Sequence, residues 1–163
     1  LTLQDRTGRL NDADLAWLAE RGSRALTVLT GSDADKSSVR VVVVGDAEMA
    51  VAHERYSGVA GTTDVLTFDL RDEAAGPLDT DILICLDEAI RCGTERGHPA
   101  SRELLLYVVH GILHCLGHDD HDPAAYAQMH AREDEVLEAI GVGRTFAVGS
   151  PSDASAAGSG RGV

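Results

Sequence analysis

Between Leu104 and Leu116 the chain is apolar almost throughout (Leu104, Leu105, Leu106, Val108, Val109, Ile112, Leu113 and Leu116), and inside that run His110 and His114 stand four residues apart. A run of this length and period reads as a helix with most of its surface buried, so the rest of the fold has to be built around it. Residues four apart share one helix face, so both imidazoles project together and can converge on one metal ion. Gly117 follows, the residue type that tolerates the left-handed conformation ending a helix. The turn His118-Asp119-Asp120-His121 can then bring a further ligand back to the same ion.

A lone histidine is more often a solvated or core-satisfied residue than a ligand. Here four of the seven histidines fall within twelve residues, two of them at helical ligand spacing before a helix-stopping glycine, and that cluster points to metal binding. Two ligands on a helix and a third beyond a turn make a three-ligand site, which leaves a position for water as catalytic zinc sites do. The third ligand is expected at Asp120, ten residues after the first histidine, with His121 as the alternative and His118 free to point either way. Zinc protease helices carry Glu directly after the first histidine, whereas Gly111 stands there, so peptide hydrolysis by that route is not expected. A glycine at that place suits a close neighbour or a bulky substrate against the backbone.

The run His-Gly-x-Leu-His-x-x-Gly with its Asp-rich turn resembles the signature of the YbeY family of bacterial zinc-dependent endoribonucleases. Upstream, Thr63-Asp64-Val65-Leu66-Thr67-Phe68 and Asp81-Ile82-Leu83-Ile84-Cys85 are similar to two strand blocks of that family, in the same order, and the resemblance spans roughly Val41 to Val142. It implies a small mixed sheet with packed helices and one zinc ion held by His110, His114 and Asp120. It also implies action on precursor rRNA in company with the small ribosomal subunit or its proteins. His114 and Arg55 are the implied catalytic residues, Arg55 standing in for a basic residue that the family places after the tyrosine, where this chain has Ser57. Thr80 replaces a glycine before Asp81, a change expected to affect a turn.

A chain of 163 residues predicts one α/β (α+β) domain, residues 1–146, with a sheet of about four strands, the metal site on the central helix, and a Gly, Ser and Ala-rich tail over 147–163 that reads as disordered, most strongly from Gly149. No membrane span or secretion signal is read, and Cys85, Cys92 and Cys115 lack metal spacing, so reduced packing cysteines and a cytoplasmic address are expected. The formal charge of −13 opposes tight RNA binding. RNA cleavage therefore requires a local rim of arginines beside the ion, drawn from residues such as Arg40, Arg55 and Arg102. Glu133, Asp134, Glu135 and Glu138 read as a solvated helix face. Asp119 and Asp64 are second-rank candidates for proton transfer.

Strands are expected at 1–3, 39–44, 65–70 and 81–86, a polar loop at 31–38, and helices at 12–30, 46–56, 87–95, 100–116 and 123–140. Two functions from different classes fit these readings. One is a single-strand-specific endoribonuclease in rRNA maturation, processing small-subunit rRNA ends and serving ribosome quality control. The other is a ribosome-assembly factor whose zinc is structural, working through protein contacts that negative charge does not hinder.

Overall fold

A computed structural model describes residues 1–73 and 75–146, so the tail expected over 147–163 lies outside the described residues. Four strands form one sheet in the order β1, β2, β4, β3: β1 (Thr2–Asp5), β2 (Ser38–Val44) and β4 (Asp79–Cys85) run parallel, and β3 (Val65–Asp69) is the antiparallel edge. Among the described residues five α-helices join them: α1 (Asp12–Thr30), α2 (Asp46–Ser57), α3 (Leu86–Arg96), α4 (Ala100–Cys115) and α5 (Pro123–Ala139). This is the α/β class that the sequence implies. The segment read as a loop after α1 is instead a 3-10 helix, Gly31–Lys36.

Local chemistry explains the helix ends. Asn11 caps α1 by accepting from the Asp14 backbone N–H at 2.8 Å, and Asp122 caps α5 by accepting from Ala124 and Ala125, with Pro123 in the first turn where its missing N–H costs nothing. Along β2 and β4 the side chains alternate between the two faces of the sheet. Val39, Val41, Val43, Ile82 and Ile84 enter the main core with α1, α4 and α5, while Val44 and Cys85 join Met49 of α2 in a small second core on the opposite face.

Helix α4 is the centre of the larger layer, touching α1, α3, α5, β3 and β4. Eleven of its sixteen residues are buried, which makes it a core helix with no dry or wet side to choose between. Gly111 faces the sheet: a Cβ there would lie 3.0 Å from Thr67 Oγ1 and 3.1 Å from two carbons of Ile82. The close neighbour that this glycine accommodates is therefore the sheet, which lets His110 reach the layer's margin. Thr80 lies inside β4 and not in a turn; it is fully buried and donates from its hydroxyl to the Phe68 carbonyl at 2.9 Å. Among the described residues no helix is long and apolar enough to cross a membrane.

Candidate metal centre

At the end of α4, Gly117 adopts φ +90, and the backbone N–H groups of Gly117 and His118 donate to the carbonyls of His114 and Leu113, both at 3.0 Å. This Schellman closure reverses the chain within two residues. The reversal puts the His118 carbonyl where it accepts from His114 Nδ1 at 3.1 Å, and sets Asp120 opposite the two imidazoles. Asp119 steadies the turn by accepting from the backbone N–H groups of Asp120 and His121 and from the His121 ring.

His110 Nε2 and His114 Nε2 face each other at 2.8 Å, and Asp120 Oδ2 lies 3.7 and 3.8 Å from them. The partners of the other ring nitrogens settle the chemistry of this triangle. His110 Nδ1 lies 2.6 Å from a Glu133 carboxylate oxygen, and His114 Nδ1 meets a carbonyl. Carboxylates and carbonyls accept, so each neutral ring carries its proton on Nδ1 and presents a lone pair at Nε2. Two lone pairs and a carboxylate oxygen then converge, which is repulsive without a cation between them. A tetrahedral ion bonded at about 2.0–2.2 Å holds its ligand atoms roughly 3.3–3.6 Å apart, and edges of 2.8, 3.7 and 3.8 Å bracket that spacing. The donor set fits a metal ion.

Burial of the His110 ring opposes its protonation, yet the hydrogen bond to Glu133 and the charges of Glu133, Asp64 and Asp120 outweigh it and raise its pKa above the ordinary histidine range. A group of negative charge that draws a proton onto His110 draws a metal ion to the same place. His121, the alternative third ligand, points outward with its side chain 85% exposed and pairs with Asp119.

Beside the ligand group lies a cavity of about 410 Å3, its wall including Asp64, Arg96, His110, Asp120, Tyr126 and His130. Asp64 is fixed at the mouth of β3, its carboxylate accepting from the Val65 backbone N–H at 2.8 Å. The arginines expected as a rim lie elsewhere. Arg55 and Arg40 line a separate groove of about 770 Å3 on the α2 face, and Arg102 is spent on the carbonyls of Gly143 and Arg144. Arg55 stacks over the Tyr56 ring at 5.4 Å, and the structure does not bring it to His114.

Half of the supposedly solvated acidic face is inside the protein: Glu133 is 1% exposed and Asp134 4%, while Glu135 and Glu138 are exposed. A signal for Glu133 exists in the spacing, since Met129 and Leu137, four residues to either side, are both buried. The cysteines are free; Cys85 and Cys115 are buried and Cys92 partly so, and burial pushes the Cys85 thiol up to about 11.

A single α/β domain that aims two histidines of its central helix and a carboxylate of the following turn at one point belongs, by design, with three-ligand metal sites. The model of the family described as endoribonuclease YbeY matches residues 7–141, and the chain belongs to that family. A protein of Roseiflexus castenholzii named endoribonuclease YbeY is 36% identical over 137 residues, covering 79% of this chain and 86% of that one. A Bacillus licheniformis protein of the same name is 30% identical over 157 residues, covering 89% and 97%. The solution structure of a Thermotoga maritima protein aligns at TM-score 0.55 and 24% identity over 85% of this chain and 91% of that one, which shows a shared fold.

Proposed function

We propose that this chain is a zinc-dependent, single-strand-specific endoribonuclease of the cytoplasm, acting in rRNA maturation at small-subunit rRNA ends and in ribosome quality control, with residues 1–146 as its hydrolase domain. The observation that carries the reading is the convergence of His110 Nε2, His114 Nε2 and Asp120 Oδ2 beside a cavity, in a chain of a family described as endoribonuclease YbeY. When bound, the ion supplies Lewis acidity: it polarises a phosphoryl oxygen and makes water a stronger acid. His110, His114 and Asp120 would hold it, a three-residue set that would leave room for water or substrate at the ion. Asp64, in the cavity wall, is placed to hold or move a proton, and Asp119 keeps the turn that carries Asp120. Arg96, the arginine among the cavity's described lining residues, is held by the fully buried Glu103 carboxylate at 2.8 Å, so Asp64, Glu88 and Asp120 leave the lining acidic until an ion is bound. In this reading Arg55 meets RNA on the α2 face, away from the cut.

Those acids beside the ligand group favour one second reading, a ribosome-assembly factor with a structural zinc and little or no cleavage. The two separate in a single assay: metal-loaded protein incubated with single-stranded and with duplex RNA, beside His114→Ala. The nuclease reading expects cleavage of the single strand that chelator abolishes and His114→Ala lacks. Equal activity in His114→Ala, or none in the metal-loaded protein while zinc still stabilises it, overturns that reading.

A further inference from the structure

We infer that Glu133 is a positioning residue of the metal centre, aiming His110 from the far side of its ring, with His130 and Phe146 holding Glu133 in place; the inference rests on His110, His114 and Asp120 being the ligand set. A carboxylate as deeply buried as Glu133 is costly unless its oxygens are satisfied. Among the described residues no arginine or lysine pairs with it. Its two partners are both imidazoles: Oε1 accepts from His110 Nδ1 and Oε2 from His130 Nδ1, each at 2.6 Å.

That arrangement does three things to His110. It fixes the proton on Nδ1, so the lone pair stands at Nε2; it sets the plane of the ring; and it raises the basicity of the ligating nitrogen. The second imidazole explains why the carboxylate stays where it is. His130 stacks on Phe146 with ring centroids 3.8 Å apart and 24° between planes, and Tyr126 meets it edge-on at 4.1 Å. Phe146 is held in turn by Asp134, whose Oδ1 accepts from the backbone N–H groups of Thr145 at 2.6 Å and Phe146 at 3.0 Å. The two buried acids of α5 thus divide the work: Asp134 anchors the chain that follows the helix, and Glu133 carries that rigidity to the ligand.

The alternative is that Glu133 only satisfies the interior, and a double-mutant cycle on zinc affinity distinguishes the two. Glu133→Gln keeps the shape but removes the negative charge and leaves one acceptor oxygen for two ring N–H groups, so the charge that sharpens the His110 lone pair is lost whichever way the amide turns. Zinc affinity, read by competition with a chromophoric chelator on the full chain, should fall about 10–100-fold in Glu133→Gln, the usual cost of losing an outer-shell partner. Glu133→Gln added to His110→Ala should cause no further loss. Equal losses in both backgrounds, or none in either, overturn the inference. Should Glu133→Gln not fold, long-range 1H–15N spectra of the unsubstituted zinc-loaded protein read the same point: His110 protonated at Nδ1 and bonded to zinc through Nε2 is expected, and zinc on Nδ1 overturns it. An unchanged affinity in His110→Ala sinks the ligand set itself, and this inference with it.

Discussion

The two concave surfaces on either side of the sheet differ in what they bring together. On the α4 and α5 side the smaller cavity, about 410 Å3, meets two lone-pair nitrogens and a carboxylate converging at its edge, backed by a carboxylate that is almost wholly buried. On the α2 side the larger groove, about 770 Å3, is lined by Arg6 paired with Glu48, Arg40 paired with Asp81, and Arg55, and has no comparable convergence among its described residues. Size and arginine content therefore do not mark the side on which these donor atoms converge. What sets the smaller cavity apart is a set of acceptor atoms held close against their mutual repulsion by a rigid helix and its closing turn.

The strongest way to break this division is to remove one function from each face. His114→Ala should lower RNA cleavage by more than about 100-fold, the upper end of what losing even an outer-shell partner costs. Arg55→Ala shares no partner with the ligand group, so zinc affinity should stay within about twofold, the non-additivity usual for independent sites. A large loss of zinc affinity in Arg55→Ala, measured by chelator competition, would join the two faces into one site.

Packing should follow the same division. Leu113 is fully buried in α4, and Leu113→Ala should cost about 2–5 kcal/mol in a denaturant titration. Val51 on α2 is 68% exposed, and Val51→Ala should stay within about 0.5 kcal/mol. Comparable losses at the two positions would mean that α2 is covered by something outside the described residues.

How much of this was legible in the sequence depends on how local the cause is. The caps at Asn11 and Asp122, the β-branched run of β2 and the histidine spacing act within a few residues, and the corresponding elements lie close to where they were expected. The turn that brings Asp120 to the histidines was legible through Gly117. The arginine rim was not, because the groove holding Arg40 and Arg55 forms on a sheet face that only the strand order defines. The burial of Glu133 and Asp134 is not legible because composition describes a charged helix by its average, while burial follows the side of α5 that packs on α4, α1 and the segment after the helix. Thr80 lies in a strand and not in the expected turn because β4 begins at Asp79, two residues before the strand start expected at Asp81.

A finer test concerns the turn alone. Gly117→Ala forces an L-residue to φ +90, which should cost about 1 kcal/mol and weaken zinc binding by moving Asp120. Calorimetry with and without zinc checks both effects; a variant with unchanged zinc affinity would show that Asp120 finds its place without the Schellman closure.

The smallest effect belongs to three carboxylates paired outside the ligand group. Asp46 is held below the ordinary carboxylate range by Arg91, Asp69 by Arg71, and Asp87 by the Asp46 backbone N–H together with Arg9. Carboxyls lowered in the folded state contribute stability that is complete above their unfolded value of about 3.9 and is lost as pH falls through the folded values. The melting temperature should decline modestly as pH drops below about 4. A melting temperature that does not change across that range would remove these pairs from the account.

The central claim is the ligand set, and anomalous diffraction from zinc-loaded crystals tests it most directly. The expected result is one peak about 2.0–2.2 Å from His110 Nε2, His114 Nε2 and Asp120 Oδ2, with occupancy lost in Asp120→Ala and kept in His121→Ala. A peak bonded to His121 in place of Asp120, or sitting on Asp119 and His121 away from the two helix histidines, would contradict it.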